Sequence, residues 1–168
     1  FFLRDLRIVG AEKYLPVMTT RQLGLFTVQS LDMGRVRAEV GARVESTRHL
    51  ADEDLDLGNP DLKRSYTSLS GSLGANYELT ERWRIGLNAS YTQRAPSGEE
   101  LFANGPHAGT QAFEIGDPLL KKEKSKGLEL TLRGAGNGYS LSASLYHSWF
   151  NGFIYESPTG VIEDGLPV

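Results

Sequence analysis

Between Arg82 and Gln93, apolar and polar residues alternate without a break. Trp83, Ile85, Leu87, Ala89 and Tyr91 hold one parity, and Arg82, Arg84, Gly86, Asn88, Ser90 and Thr92 the other. Strict period two describes a strand with one apolar and one polar face. The same pattern returns over Arg35–Thr47, where Val36, Ala38, Val40, Ala42 and Val44 oppose Arg35, Arg37, Glu39, Arg43 and Glu45. It returns from Ser65, with Leu69, Gly71, Leu73, Ala75 and Tyr77 against Ser68, Ser70, Ser72, Gly74 and Asn76, and over Lys126–Arg133 and Tyr139–Tyr155. Gln22–Leu31 alternates less cleanly, since Phe26 and Val28 share a side with Gln22 and Ser30, and Phe1–Gly10 reads as the tail of a further strand. The count is six or seven strands.

The links between these strands come in two kinds. Short turns fall at 32–34, 78–82 and 134–138; long segments fall near 48–64, 94–122 and after 156. Antiparallel neighbours then carry every short turn at one end and every long loop at the other, as outer-membrane barrels do. The strands reach the roughly 9–11 residues of a tilted crossing. Tyr77, Trp83 and Tyr139 lie by the short turns, and Tyr91, Trp149, Phe153 and Tyr155 toward the long loops, where interfacial rings settle. The predicted fold class is all-β: an antiparallel transmembrane β-barrel segment. The competing reading is a soluble antiparallel sandwich, which shares the alternation. It fits less well the small apolar side chains in mid-strand and the long loops on one side. Six or seven strands alone leave edges that lipid does not tolerate, so residues 1–168 are expected to be part of the barrel domain of a longer protein, with its remaining strands elsewhere.

Composition narrows the picture. A formal net charge of -3, with basic and acidic residues interleaved, gives no footprint for nucleic acid. The chain has no Cys, which excludes thiolate metal sites, disulfides and a Cys nucleophile. No apolar run approaches the roughly 18 residues of a membrane helix, and a half-apolar barrel strand needs none. Phe1-Phe2 in place of an initiating Met, with no basic-then-apolar leader, fits an internal piece.

Two boxes flank the middle of the largest loop. Gln93-Arg94-Ala95-Pro96-Ser97-Gly98-Glu99-Glu100-Leu101-Phe102 opens it, and Gly116-Asp117-Pro118-Leu119-Leu120-Lys121-Lys122-Glu123-Lys124-Ser125 closes it before an alternating strand. This arrangement resembles the TonB-dependent outer-membrane receptors, with their Arg-Ala-Pro box and their Asn-Pro-Asn-Leu-like box. Gly24-Leu25-Phe26 and Gly41-Ala42-Arg43-Val44-Glu45 also resemble that barrel. The second box departs from the usual form, with Gly116-Asp117 at its entry and Leu119 at the Asn position. The resemblance implies a 22-stranded barrel closed by an N-terminal plug, which binds a scarce metal chelate, most often iron–siderophore, and imports it with energy from TonB. Its implied partners are outer-membrane lipid, TonB through the plug-bearing part, and the small ligand.

Candidate ligand-binding residues are few. His107 lies between the boxes; in haem receptors of the family such a His ligates iron, and zinc receptors use loop His and acids. The plainer reading is a solvated loop side chain. His49 with Asp52 and Asp54 would suit a borderline cation, against the plainer reading of an acidic external loop. Arg94, with Glu99 and Glu100 close by, reads either as an ion pair fixing the loop base or as an attractor for an anionic chelate. Iron chelate, haem and zinc are thus the candidate transported ligands. Arg35, Arg37, Arg43, Arg84 and Arg133 are expected to face the lumen, because mid-membrane lipid-facing charge costs roughly 2–4 kcal/mol. No Gly-x-Ser-x-Gly elbow, phosphate-cradling loop or HExxH pair supports an enzyme. Beside the receptor stand two other classes: a small structural or adhesive outer-membrane barrel, and a soluble β-rich binding module.

Overall fold

A computed structural model of the chain describes residues 1–10 and 13–168. Its strands are β1 (Phe2–Leu6), β2 (Met18–Met33), β3 (Val36–Ala51), β4 (Leu62–Thr80), β5 (Trp83–Arg94), β6 (Asn104–His107), β7 (Ala112–Ile115), β8 (Glu123–Gly136), β9 (Tyr139–Asn151), β10 (Ile162–Glu163) and β11 (Leu166–Pro167), with one helix, α1 (Gly98–Phe102). Seven of the strands form one antiparallel sheet in the order β1-β2-β3-β4-β5-β8-β9. β6–β7 and β10–β11 are separate hairpins. Each strand of the sheet pairs with its chain neighbour, the pairing across the largest loop joining β5 to β8.

Register fixes which side chains share a face. Phe26 opposes Arg43, Arg43 opposes Ser70, and Ser125 opposes Phe150, so these lie on one side with Glu45, Ser72, Ser90 and Glu129. The other side carries Leu25, Val44, Leu69, Leu87, Leu130 and Leu145. None of the described elements covers that apolar side: Leu25 is 69% exposed, Leu73 62% and Leu145 73%. A sandwich would bury this face against a second sheet. Here no second sheet covers it, as expected where that face meets lipid and the opposite face turns toward a lumen.

The short links are 34–35, 81–82 and 137–138, and Gly34 and Gly138 take positive φ there. Arg35, expected on the lumen face, falls in the 34–35 turn. The long links lie at the other end. Three differ from the sequence expectation, the last because β9 ends at Asn151 and not Tyr155, so that its link begins at 152. β3 runs on to Ala51 and β4 begins at Leu62, so the acidic link is 52–61 and not 48–64. The alternation fades there because lipid no longer enforces it, while the backbone ladder continues. The 94–122 segment, expected as one long loop, holds α1 and the β6–β7 hairpin.

The hydrophobic core lies at that end. Leu15, Met18, Ala51, Leu101, Phe102 and Ala103 form one buried cluster, with Leu6, Ile8, Tyr14, Leu62, Tyr66 and Leu120 against it. It forms where α1 and residues 13–17 fold onto the lumen-side ends of β1 to β4. Burying side chains such as Leu101 and Phe102 stabilises the docked loop by about 1.5–3 kcal/mol each.

Candidate functional site

Three sets of polar contacts build the long-loop end of the sheet's polar face, which is the candidate site. The first is centred on Arg94, the last residue of β5. Its guanidinium takes Glu100 in a fork, with Nη1 to Oε2 at 2.9 Å and Nη2 to Oε1 at 3.0 Å, and reaches Glu123 at 3.4 Å. Glu100 also accepts from the Ser97 backbone N–H at 2.7 Å, while Ser97 Oγ accepts from the Glu100 N–H at 3.1 Å. That reciprocal capping box starts α1. Glu123 in turn accepts from the Ile154 N–H. One arginine therefore joins both feet of the large loop to the helix between them.

The second set is centred on His49. Lumen-facing at the end of β3, it lies five positions beyond Val44, or about 17 Å along the strand. That places it past the apolar band, outside the membrane-spanning part. The side chain is buried. Nε2 donates to the Pro96 carbonyl at 3.1 Å, which leaves Nδ1 to accept from Thr20 Oγ at 3.0 Å. Tyr66 and Phe102 meet the ring edge-on. Burial pushes the imidazole below its ordinary pKa, against smaller opposite pulls from the Pro96 bond and Glu99.

The third set ties the loops to one another. His107 Nδ1 lies 2.7 Å from Glu114 Oε1, Thr110 Oγ donates to the same oxygen at 2.7 Å, and Tyr14 stacks on the imidazole at 4.0 Å. Burial, and then the Glu114 charge, raise the Tyr14 pKa. Lys13 Nζ bridges Asp54 at 2.7 Å and Asp56 at 3.4 Å. The pairing raises Lys13 and lowers Asp54, with their mutual hydrogen bond the largest cause in each. Asn59 Nδ2 donates to the Phe102 carbonyl and Asn104 Nδ2 to that of Leu57. Gly105 and Gly116 allow these approaches. A Cβ at Gly105 would stand 2.8 Å from the Lys13 carbonyl, and one at Gly116 2.8 Å from Leu101 backbone.

Below this site the inner face is shallow and polar. Phe26, Val28, Gly41, Arg43, Ser70, Ser72, Ser90 and Thr92 line a cleft of about 350 Å³. A second cleft, of about 270 Å³, is bounded by Asn88, Ser90, Glu129, Tyr146 and Ser148.

A family model for TonB-dependent receptor-like β-barrels matches residues 4–167. The chain belongs to that family. TonB-dependent receptors are transporters of the bacterial outer membrane and not enzymes, which places the apolar face in lipid and the clefts in the barrel interior.

Within this receptor wall the residues singled out in the sequence fall into separate places. Arg94 and Glu100 meet in the fork, while Glu99 pairs with Arg4 at 3.2 Å. His49, Asp52 and Asp54 are not brought to one point. The histidine is enclosed, the Asp52 backbone N–H is used by the Val17 carbonyl, and Asp54 faces Lys13. Among the described residues no three His, Asp or Glu side chains converge as a metal would require. His107 keeps company with Glu114, and its Nε2 has no protein partner among the described residues. His147 lies on the lipid-facing side, 4.3 Å from the Trp149 ring. In the lumen, Arg43 pairs with Glu45 and Arg84 with Glu78.

Tyr14, Lys13 and Glu114 were missed in the sequence, since nothing local marks them. The α1 capping box was missed as well, although the spacing of Ser97 and Glu100 carried its signal.

In the second box, Asp117 shapes the backbone. Its carboxylate accepts from the Leu119 N–H at 2.8 Å, making an Asx turn. The Pro118 carbonyl accepts from Arg64 and the Leu120 carbonyl from Tyr66 Oη, which seats the box on β4.

Proposed function

We propose that this wall belongs to a closed, 22-stranded receptor that imports a scarce metal chelate, with an iron–siderophore complex as its substrate and TonB as its energy source. The observation that carries this reading is the polar inner face roofed at one end by folded loops. A chelate arriving from outside would meet the mouth first and the clefted lumen next. The unpaired outer edges of β1 and β9 support a larger closed barrel, because open edges have no place in lipid. A plug borne by another part of the receptor would fill the lumen and carry the TonB contact.

The test is uptake by cells that lack other receptors and express the intact protein. Radioactive ferric siderophores should accumulate, and collapse of the inner-membrane proton gradient should stop it. Accumulation that persists without the gradient would sink energised transport.

A haem or zinc substrate is the second reading, favoured by His107. A carboxylate on Nδ1 holds the tautomer whose Nε2 lone pair is free for a metal. Haem titrated into the intact receptor and its His107→Ala form decides it. A saturable Soret shift lost in the variant supports haem, and no shift in either removes it.

A further inference from the structure

Charge on the lipid-facing side is sorted by sign and by height. Within the seven strands of the sheet, the exposed cations on that side are Arg21, Arg48, Lys63, Lys124 and Lys126, and all lie in the half nearest the long loops. Asp5, on the edge strand β1, is the one acid there, and Thr19 Oγ donates to it at 2.7 Å. The half nearest the short turns carries no charge on this face of those strands. The lumen side mixes both signs. Solubility in water would not demand that separation.

We infer that these five side chains bind the phosphate groups of the outer-leaflet lipid. Height supports this. Lys126 stands in register between Tyr91 and Trp149, the interfacial rings of β5 and β9. Arg48 lies four positions beyond Val44, about 13 Å along a tilted strand, so a long side chain reaches the headgroup layer. Pairing supports it independently. Arg21 lies directly opposite Arg48, a like-charge cross-strand pair that is unfavourable unless an anion joins it. Among the described residues none of the five cations forms an ion pair. Lipid phosphate supplies the missing charge. Because the sites span β2 to β8, one multiply phosphorylated headgroup, or two neighbours, could bridge adjacent strands.

The inference rests on the outer-membrane placement and not on the substrate. The test uses the intact receptor in nonionic detergent, titrated with bisphosphorylated lipid A and followed by native mass spectrometry. Retained lipid is expected, with at least ~10-fold weaker retention when all five are changed to Gln, and weaker retention as NaCl rises. Arg21→Gln with Arg48→Gln should weaken it more than Arg84→Gln with Arg133→Gln, which removes two charges from the lumen face. Equal retention by the five-site variant, or of dephosphorylated lipid A, would overturn the assignment. The heat-dependent gel shift of a folded barrel is read in parallel. Its presence with no lipid retained defeats this surface alone, and its absence in the unmodified receptor defeats the barrel reading as well.

Discussion

His49 has both ring nitrogens committed, one to a hydroxyl from β2 and one to a carbonyl at the start of the large loop. The arrangement requires the neutral ring, and burial lowers its pKa to suit. The sign of the linkage follows. Above the ordinary value of about 6.5, docked and released loops are both neutral, and the full docking stability is present. As pH falls below that value the released state takes up a proton that the docked state refuses, so docking weakens. Hydrogen-exchange protection of the Asn104 amide, which donates to the Tyr14 carbonyl, should therefore drop between pH 7.5 and 5. His49→Gln should lower protection at pH 7.5 and flatten its pH dependence. An unchanged pH profile in that variant would show that some other group titrates.

At the scale of the element, the large loop behaves as a folded unit held at both feet. Arg94→Ala leaves Glu100 and Glu123 without their cation. Because the fork is partly exposed, screening limits the loss to about 1–2 kcal/mol of docking. Limited proteolysis of intact cells should then cut within 97–120 roughly 10-fold faster, and Arg94→Lys should fall between, since an ammonium cannot make the fork. Cleavage no faster than in the unmodified receptor would deny Arg94 that role. The strands were legible because lipid on one side and polar lumen on the other impose period two; Trp83 to Tyr91 and Val36 to Val44 show their faces in the sequence itself. Their upper ends were not, because Arg48 to Ala51 lie where neither solvent enforces a pattern. Nor was the mouth: His49 and Pro96 are 47 positions apart, and Arg64 and Pro118 are 54 apart. Only tertiary pairing joins them.

For the whole molecule, the two faces of the sheet should answer the same substitution in opposite ways. Leu130→Arg places charge in mid-membrane lipid and should cost about 2–4 kcal/mol, while Ser144→Arg, which faces the lumen, should cost little. Denaturant titration of the refolded intact receptor measures both, and equal losses would mean that the faces are assigned wrongly. The position of the hydrophobic core has one more consequence, for what an immune system would see. The wall is hidden in lipid, and the outward-facing surface is a tertiary assembly of residues 13–17, 52–61 and 97–120. Antibodies raised against linear peptides from α1 or the second box should recognise the denatured chain and pass over living cells. Those that bind cells should read a discontinuous epitope, or the hairpin tip at 108–111.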